Sequence, residues 1–259
     1  MLSQLSASIT PLPGVSLNKN HKENIMSSLP VAVVTGGTSG IGLAIVHNLA
    51  RDHQVYALGR NKDSLIALRL VENVEAVEID LLDFSAVEQF VRELPVIDVL
   101  VHSAAISKPL RLEQATPEEW QKQFSINVFA PAEFTRLALP ALRKQEGQVV
   151  FIGSGSGTKA DGGNTVYCAS KFALSALAHA LRQEETEHGL RVSTVAPGPT
   201  DTPMNRKTRE SQGNFDAIDP REYSTPESVA AAVRLVVSAS DDTQITDIAV
   251  RPRRDKAKR

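Results

Sequence analysis

Cysteine is almost missing: Cys168 is the one thiol in 259 residues. An internal disulfide is therefore impossible, as is a zinc cluster built on several cysteines, and both absences suit a reducing cytoplasm. Charge of one sign is not in excess either. A formal net charge of -2 argues against a general nucleic-acid binder, because such domains are usually strongly basic. Long apolar runs are absent: none approaches the roughly 18 residues that a membrane-spanning helix needs. The first 29 residues hold Pro11, Pro13, Gly14 and a polar stretch from Asn18 to Asn24, without the continuous apolar core of a secretory signal. They read as a flexible extension, with Met26 as a candidate natural start. Residues 251–259 form a basic tail expected to lie in solvent, with a phosphate-rich partner as the minority reading.

What is present is an ordinary globular balance, 42% apolar against 22% charged, enough for one large core. Short apolar, β-branched runs alternate with helical patterns from Val31 to Val250. Strands are expected at Val31–Thr35, Gln54–Leu58, Val74–Ile79, Ile97–Val101, Gln148–Ile152, Arg191–Ala196 and Ile245–Val250. Most are apolar throughout, as parallel strands covered on both faces should be. Helices are expected at Ile41–Arg51, Lys62–Val71, Phe84–Leu94, Pro117–Lys144, Thr165–His188 and Pro226–Ser238. Thr116-Pro117-Glu118-Glu119 reads as a capping box, Thr225-Pro226 as a similar start, and Asp83 as a cap. The pattern predicts an α/β fold: one doubly wound, Rossmann-type parallel sheet of about seven strands in a domain spanning residues 30–250, with helices on both faces. The least regular stretch, residues 198–223, follows a strand's carboxyl end, where such sheets place ligand-binding loops.

The first strand enters Thr35-Gly36-Gly37-Thr38-Ser39-Gly40-Ile41-Gly42, and a helix follows. Glycines let a backbone turn tightly against a pyrophosphate, and a helix N-terminus offers it free N–H groups. Gly36, Thr38, Ser39, Gly40, Ile41 and Gly42 are thus candidate dinucleotide contacts. About 20 residues on, where an acid would select NAD, strand two ends in Gly59-Arg60-Asn61. A cation without a carboxylate favours a 2′-phosphate, hence NADP(H), with NAD(H) as the lesser option. A surface arginine without a role is the alternative.

Tyr167 and Lys171 stand four residues apart on an expected helix, so both face one side. A nearby ammonium would lower the phenol's pKa and fit it to exchange a proton with a carbonyl or alcohol oxygen. Ser154 follows the strand Gln148–Ile152, where a hydroxyl can hold a reacting oxygen; a plain loop serine is the alternative. Asn127 is an unusual helix-interior residue, explained either by a distorted backbone with a water or by tolerance on a polar face. His102 reads as a satisfied strand-end ring and Cys168 as packing.

The glycine spacing and the set Asn127, Ser154, Tyr167 and Lys171 resemble the short-chain dehydrogenase/reductase family over residues 31–250. That resemblance implies an oxidoreductase acting on a small carbonyl or alcohol, in which Tyr167 is the general acid/base and Ser154 orients the substrate. It makes Lys171 bind the nicotinamide ribose and Asn127 position a water. It places Asp80 and Leu81 at the adenine, and Pro197, Gly198, Thr200 and Thr202 at the nicotinamide and phosphate. It also puts Ser103, Ala104 and Ala105 beside the cofactor, although the family's Asn-Asn-Ala-Gly is here His102-Ser103-Ala104-Ala105. No metal, membrane or nucleic acid is implied, and a homodimer or homotetramer is. A dinucleotide sensor without chemistry is the alternative function, and an epimerase is weaker because a substantial C-terminal substrate domain is lacking.

Overall fold

Ala32 and Val34 of the first strand point into one apolar cluster, and Val33 between them points into another. Val99 and Val101 alternate in the same way with Leu100, as do Val150 and Ile152 with Val149 and Phe151. Period-two alternation inside continuously apolar strands means that both faces of the sheet are covered. In the computed structural model, which describes residues 29–217 and 219–254, these strands lie in a seven-stranded sheet of order β3-β2-β1-β4-β5-β6-β7. They are β1 (Val31–Thr35), β2 (Gln54–Gly59), β3 (Val74–Glu78), β4 (Val99–His102), β5 (Gln148–Ile152), β6 (Arg191–Pro197) and β7 (Asp247–Val250), and every pairing is parallel. The expected N-terminal extension, apart from Leu29, and residues 255–259 of the tail lie outside the described residues.

One face is covered by α1 (Gly40–Leu49), α2 (Lys62–Leu68) and α8 (Pro226–Val237), which contribute Ile45, Leu65 and Val233 to its core. The other is covered by α3 (Phe84–Arg92), α5 (Ala130–Arg143) and α6 (Thr165–Glu184), with Phe90, Phe134 and Leu174. Arg234 ties α8 to α1, donating to the Asn48 carbonyl at 2.6 Å, to Asn48 Oδ1 at 2.8 Å and to Asp52. The order of strands reverses between β1 and β4, and their carboxyl ends open the crevice where this architecture gathers its ligands. Among the described residues no helix is long and apolar enough to cross a membrane.

Three expectations need correction. The helix foreseen over residues 117–144 is two helices, α4 (Pro117–Phe124) and α5, joined by a π turn at Ser125–Phe129. The capping box at Thr116 does not form: Thr116 makes no cap hydrogen bond, and Glu119 pairs with Lys108 instead. The stretch at 198–223 contains a helix, α7 (Pro203–Ser211), whose N-cap Thr202 accepts from the Asn205 N–H at 3.1 Å. Asp83 and Thr225 cap α3 and α8 as their sequences require.

Candidate active site

The glycine-rich turn is shaped by what a side chain would strike. Gly36 has φ +66°, and a Cβ there would lie 2.8 Å from the Ala104 backbone. A Cβ on Gly42 would come within 2.2 Å of the Gly36 carbonyl oxygen, so the first turn of α1 rests directly on the turn before it. Ser39 is the N-cap of α1 without a side-chain cap bond, which leaves the partial positive end of the helix to whatever enters the crevice. Thr35, which sequence reasoning did not single out, is buried and ties β1 to β4. Its Oγ1 accepts from the N–H groups of Ser103 at 3.1 Å and Ala104 at 3.3 Å.

A cleft of about 1040 Å³ runs along the carboxyl edge of the sheet. It is lined by Gly36, Thr38, Ser39, Ile41 and Gly42, by Arg60, Asn61, Asp80 and Leu81, and by Ser103, Ala104 and Ala105. Ser154, Tyr167, Lys171, Pro197, Gly198, Thr200 and Thr202 line it as well. Of the cofactor candidates only Gly40 is off the wall; a Cβ there would meet Thr202 at 3.4 Å, so it seats the start of α7. Asn127 also stands behind the wall.

At one end Arg60 donates to Asp80 Oδ2 at 3.0 Å, with both side chains largely exposed. The Leu82 N–H on Asp80 Oδ1, helped by Arg60, holds that carboxyl below its ordinary range. Asn61 caps α2, its Oδ1 accepting from the Ser64 N–H at 2.9 Å. Thr200 and Thr202 are buried, and the Thr200 hydroxyl donates to the Gly198 carbonyl at 3.0 Å.

At the other end Lys171 is buried, donates to the Ile152 carbonyl at 2.9 Å, and lies 5.8 Å from the centre of the Tyr167 ring. Burial lowers its pKa to about 8. Tyr167 keeps one edge open to the cleft but is walled in elsewhere, and burial raises its phenol above the usual value. The expected acidification by Lys171 is therefore overturned here: desolvation outweighs any pull from an ammonium that is itself strained by burial. Opposing the rise is a hydrogen bond from Ser154. The Ser156 N–H donates to Ser154 Oγ at 3.1 Å, which leaves the Ser154 proton for the phenolic oxygen.

Asn127 sits in the π turn and is almost fully used. Its Oδ1 accepts from the Ile106 N–H at 2.9 Å, and its Nδ2 donates to the Ile106 carbonyl and to Ser170 Oγ, each at 3.0 Å. Ser170 in turn donates to the Tyr167 carbonyl at 2.8 Å. One amide thus links the segment after β4 to the helix that carries Tyr167. Of the two explanations for Asn127, the distorted backbone is present and a polar solvent face is not.

The sequence profile described as short chain dehydrogenase matches residues 30–213. The chain belongs to that family. The 3-oxoacyl-(acyl-carrier-protein) reductase MabA of Mycobacterium tuberculosis is 33% identical over 226 residues, 85% of this chain and 89% of that protein. A solved structure of a short-chain dehydrogenase/reductase from Corynebacterium glutamicum is 41% identical with TM-score 0.68, covering 86% of this chain and all of that one. A serine dehydrogenase solved in its closed form with NADP+ is 26% identical with TM-score 0.77, covering 86% of this chain and 94% of that one.

In this short-chain dehydrogenase His102 is the satisfied strand-end ring that its sequence suggests, whereas Arg251 departs from expectation. Where the family motif carries an amide, His102 stacks on Phe151 with ring centroids 5.1 Å apart and lies 2.8 Å from Thr135 Oγ1. Thr135 spends its proton on the Pro131 carbonyl, so His102 Nε2 is the donor to it and the ring is a neutral, satisfied core group. Arg251, assigned to a solvated tail, instead reaches into the cleft. It donates to the Ala196 carbonyl at 2.5 Å and the Val250 carbonyl at 3.1 Å. A residue at the end of an edge strand gives no sequence signal of that path.

Proposed function

We propose that this oxidoreductase interconverts a small carbonyl compound and its alcohol using NADP(H), with Tyr167 exchanging the proton. The observation that carries the reading is one continuous cleft holding the glycine turn and Arg60 at one end and Ser154, Tyr167 and Lys171 at the other. A dinucleotide fits the residues present. Gly36 and Gly42 leave no room for a Cβ, α1 aims its N-terminus at the crevice, and Arg60 directly follows β2, where a carboxylate would oppose a 2′-phosphate. The NADP+ bound to the similar serine dehydrogenase supports the same choice. Asp80 and Leu81 would face the adenine, and Thr200 and Thr202 the nicotinamide end. Bound there, the nicotinamide supplies or accepts the hydride.

The chain's own residues handle the oxygen and its proton. A phenol whose pKa is raised by burial stays protonated at neutral pH and is ready to donate to a carbonyl oxygen. Ser154 holds that oxygen beside the phenol, and its hydrogen bond to Tyr167 stabilises the phenolate left after donation. Lys171, held on the Ile152 carbonyl, sets the ribose and supplies positive charge once a proton is released. The π turn at Asn127 gives a backbone break where a water can relay that proton.

Phe129 and Phe172 are 53% and 43% exposed; apolar rings left open there support a homodimer or homotetramer, and the lone buried Cys168 suits the cytoplasm. Tyr167→Phe removes one hydroxyl. Turnover of a carbonyl panel should fall by about 100-fold or more while NADPH affinity, read by fluorescence titration, stays within a few-fold. Undiminished turnover would refute the role of the phenol. Tight NADPH binding with no turnover by the unaltered chain would point to a sensor.

A further inference from the structure

Charge is unevenly spread along the cleft. At the nucleotide end Arg60 and Asp80 cancel. At the Ser154 end one guanidinium lies against Gly155, the next residue, and Lys159, whose backbone N–H donates to the Gly155 carbonyl at 3.1 Å, lines the same cleft. The Arg251 guanidinium lies over Gly155 so closely that a Cβ there would stand 3.2 Å from Nη2 and 3.5 Å from Cζ. Arg251 gets there by crossing Gly198, where a Cβ would come within 2.9 Å of its Cδ. Two positions without side chains thus clear the path of one arginine to the wall of the site. Lys207 on α7 adds a third cation to that lining, and Asp161 is the acid on the same stretch. Among the described residues neither Lys159 nor Lys207 has an ion-pair partner.

The same region holds two frustrated amides. Asn164, one turn before Tyr167, and Asn205 on α7 both line the cleft, yet the Oδ1 of each is buried without a hydrogen-bond partner. An acceptor left unpaired away from water is costly, and a donor on a bound molecule relieves it. Tyr167 is the one aromatic side chain lining the cleft among the described residues.

We infer that the substrate is a small hydroxylated anion, a hydroxy acid or its oxo counterpart, whose acidic group lies toward Arg251, Lys159 and Lys207. Its further hydroxyls meet the amides of Asn164 and Asn205, which turn toward the cleft as it enters. This rests on the dehydrogenase reading and narrows it. Arg251, already fixed by the Ala196 and Val250 carbonyls, acts as a preorganised cation, so little entropy is lost when the anion docks.

The test compares kcat/KM for hydroxy acids and their methyl esters, from 3-hydroxybutyrate to gluconate, with NADP+ and the full chain. Acids should exceed esters by about tenfold or more, the scale of one charge-assisted contact. Lys159→Met and Lys207→Met should each narrow that ratio, Arg251→Met most of all, and Arg251→Lys should restore part of it. Asn164→Ala should lower gluconate more than 3-hydroxybutyrate. Thermal melts identify any variant that fails to fold, and NADPH titrations separate cofactor effects. Equal use of acids and esters, or variants that weaken both alike or weaken only NADPH, would overturn the inference. If neutral ketones are reduced while acids are not, the dehydrogenase reading survives and this one falls. If nothing is turned over, the dehydrogenase reading falls. Calorimetry on the Tyr167→Phe chain with NADPH then decides the anion question, with equal binding of acid and ester counting against it.

Discussion

His102 offers the sharpest stability test, because its burial sets a number. The ring is 4% exposed and its pKa drops from 6.5 to about 3. Between those values the unfolded chain binds a proton that the folded chain refuses, so stability falls as the pH drops from 6.5 toward 3. Each pH unit across that window costs about 1.4 kcal/mol. Going from pH 7 to pH 5 therefore removes about 2 kcal/mol through this side chain alone. His102→Asn keeps a donor toward Thr135 Oγ1 and abolishes the titration. Urea unfolding of both proteins at pH 7 and pH 5, followed by circular dichroism, gives the double difference. The variant should be less stable than the parent at pH 7, since it forfeits the stack on Phe151, but should lose about 2 kcal/mol less on acidification. Equal losses would mean that the imidazole takes up its proton inside the fold, and the argument from its burial would be wrong.

Other perturbations reach the remaining parts. Arg60→Asp should move the kcat/KM preference toward NAD(H) by tenfold or more, roughly one charge-assisted contact; an unchanged ratio would remove Arg60 from cofactor selection. Gly42→Ala gains about 1 kcal/mol of helix propensity but drives a Cβ to 2.2 Å from the Gly36 carbonyl. A lower melting temperature and weaker NADPH binding should follow; a more stable variant would contradict the close approach. Gln123 is fully buried with neither amide atom paired, so Gln123→Met should raise stability by about 1–3 kcal/mol in denaturant titration. A loss instead would reveal a hidden partner for the amide.

The sheet was legible because most strands are apolar runs, and the strand starts or ends that slipped moved by no more than two residues. The site was legible for a related reason: residues at strand ends and on one helix face are placed by the backbone pattern itself. What could not be read depends on contacts between distant segments. The π turn needs Asn127 to bond with Ile106, 21 residues away, which no local periodicity encodes. The phenol's pKa turns on burial around Tyr167, whereas spacing alone suggested only the pull of Lys171. Thr35 holds the segment after β4 by accepting from the Ser103 and Ala104 N–H groups, 68 and 69 residues away in the chain. By contrast α7 carried its own signal, Thr202-Pro203, the same start as Thr225-Pro226, and went unread.

The clamp from Arg234 to Asn48 spans 186 residues of chain. A ribosome adding about 5–20 residues per second would leave the outer flank of α1 bare for roughly 10–40 s before α8 emerges to cover it. Ile45, Val46 and Leu49 are on the greasy flank that waits. Newly made protein should therefore lean on chaperones, and a chain cut short before residue 226 would keep its nucleotide-facing helix sticky.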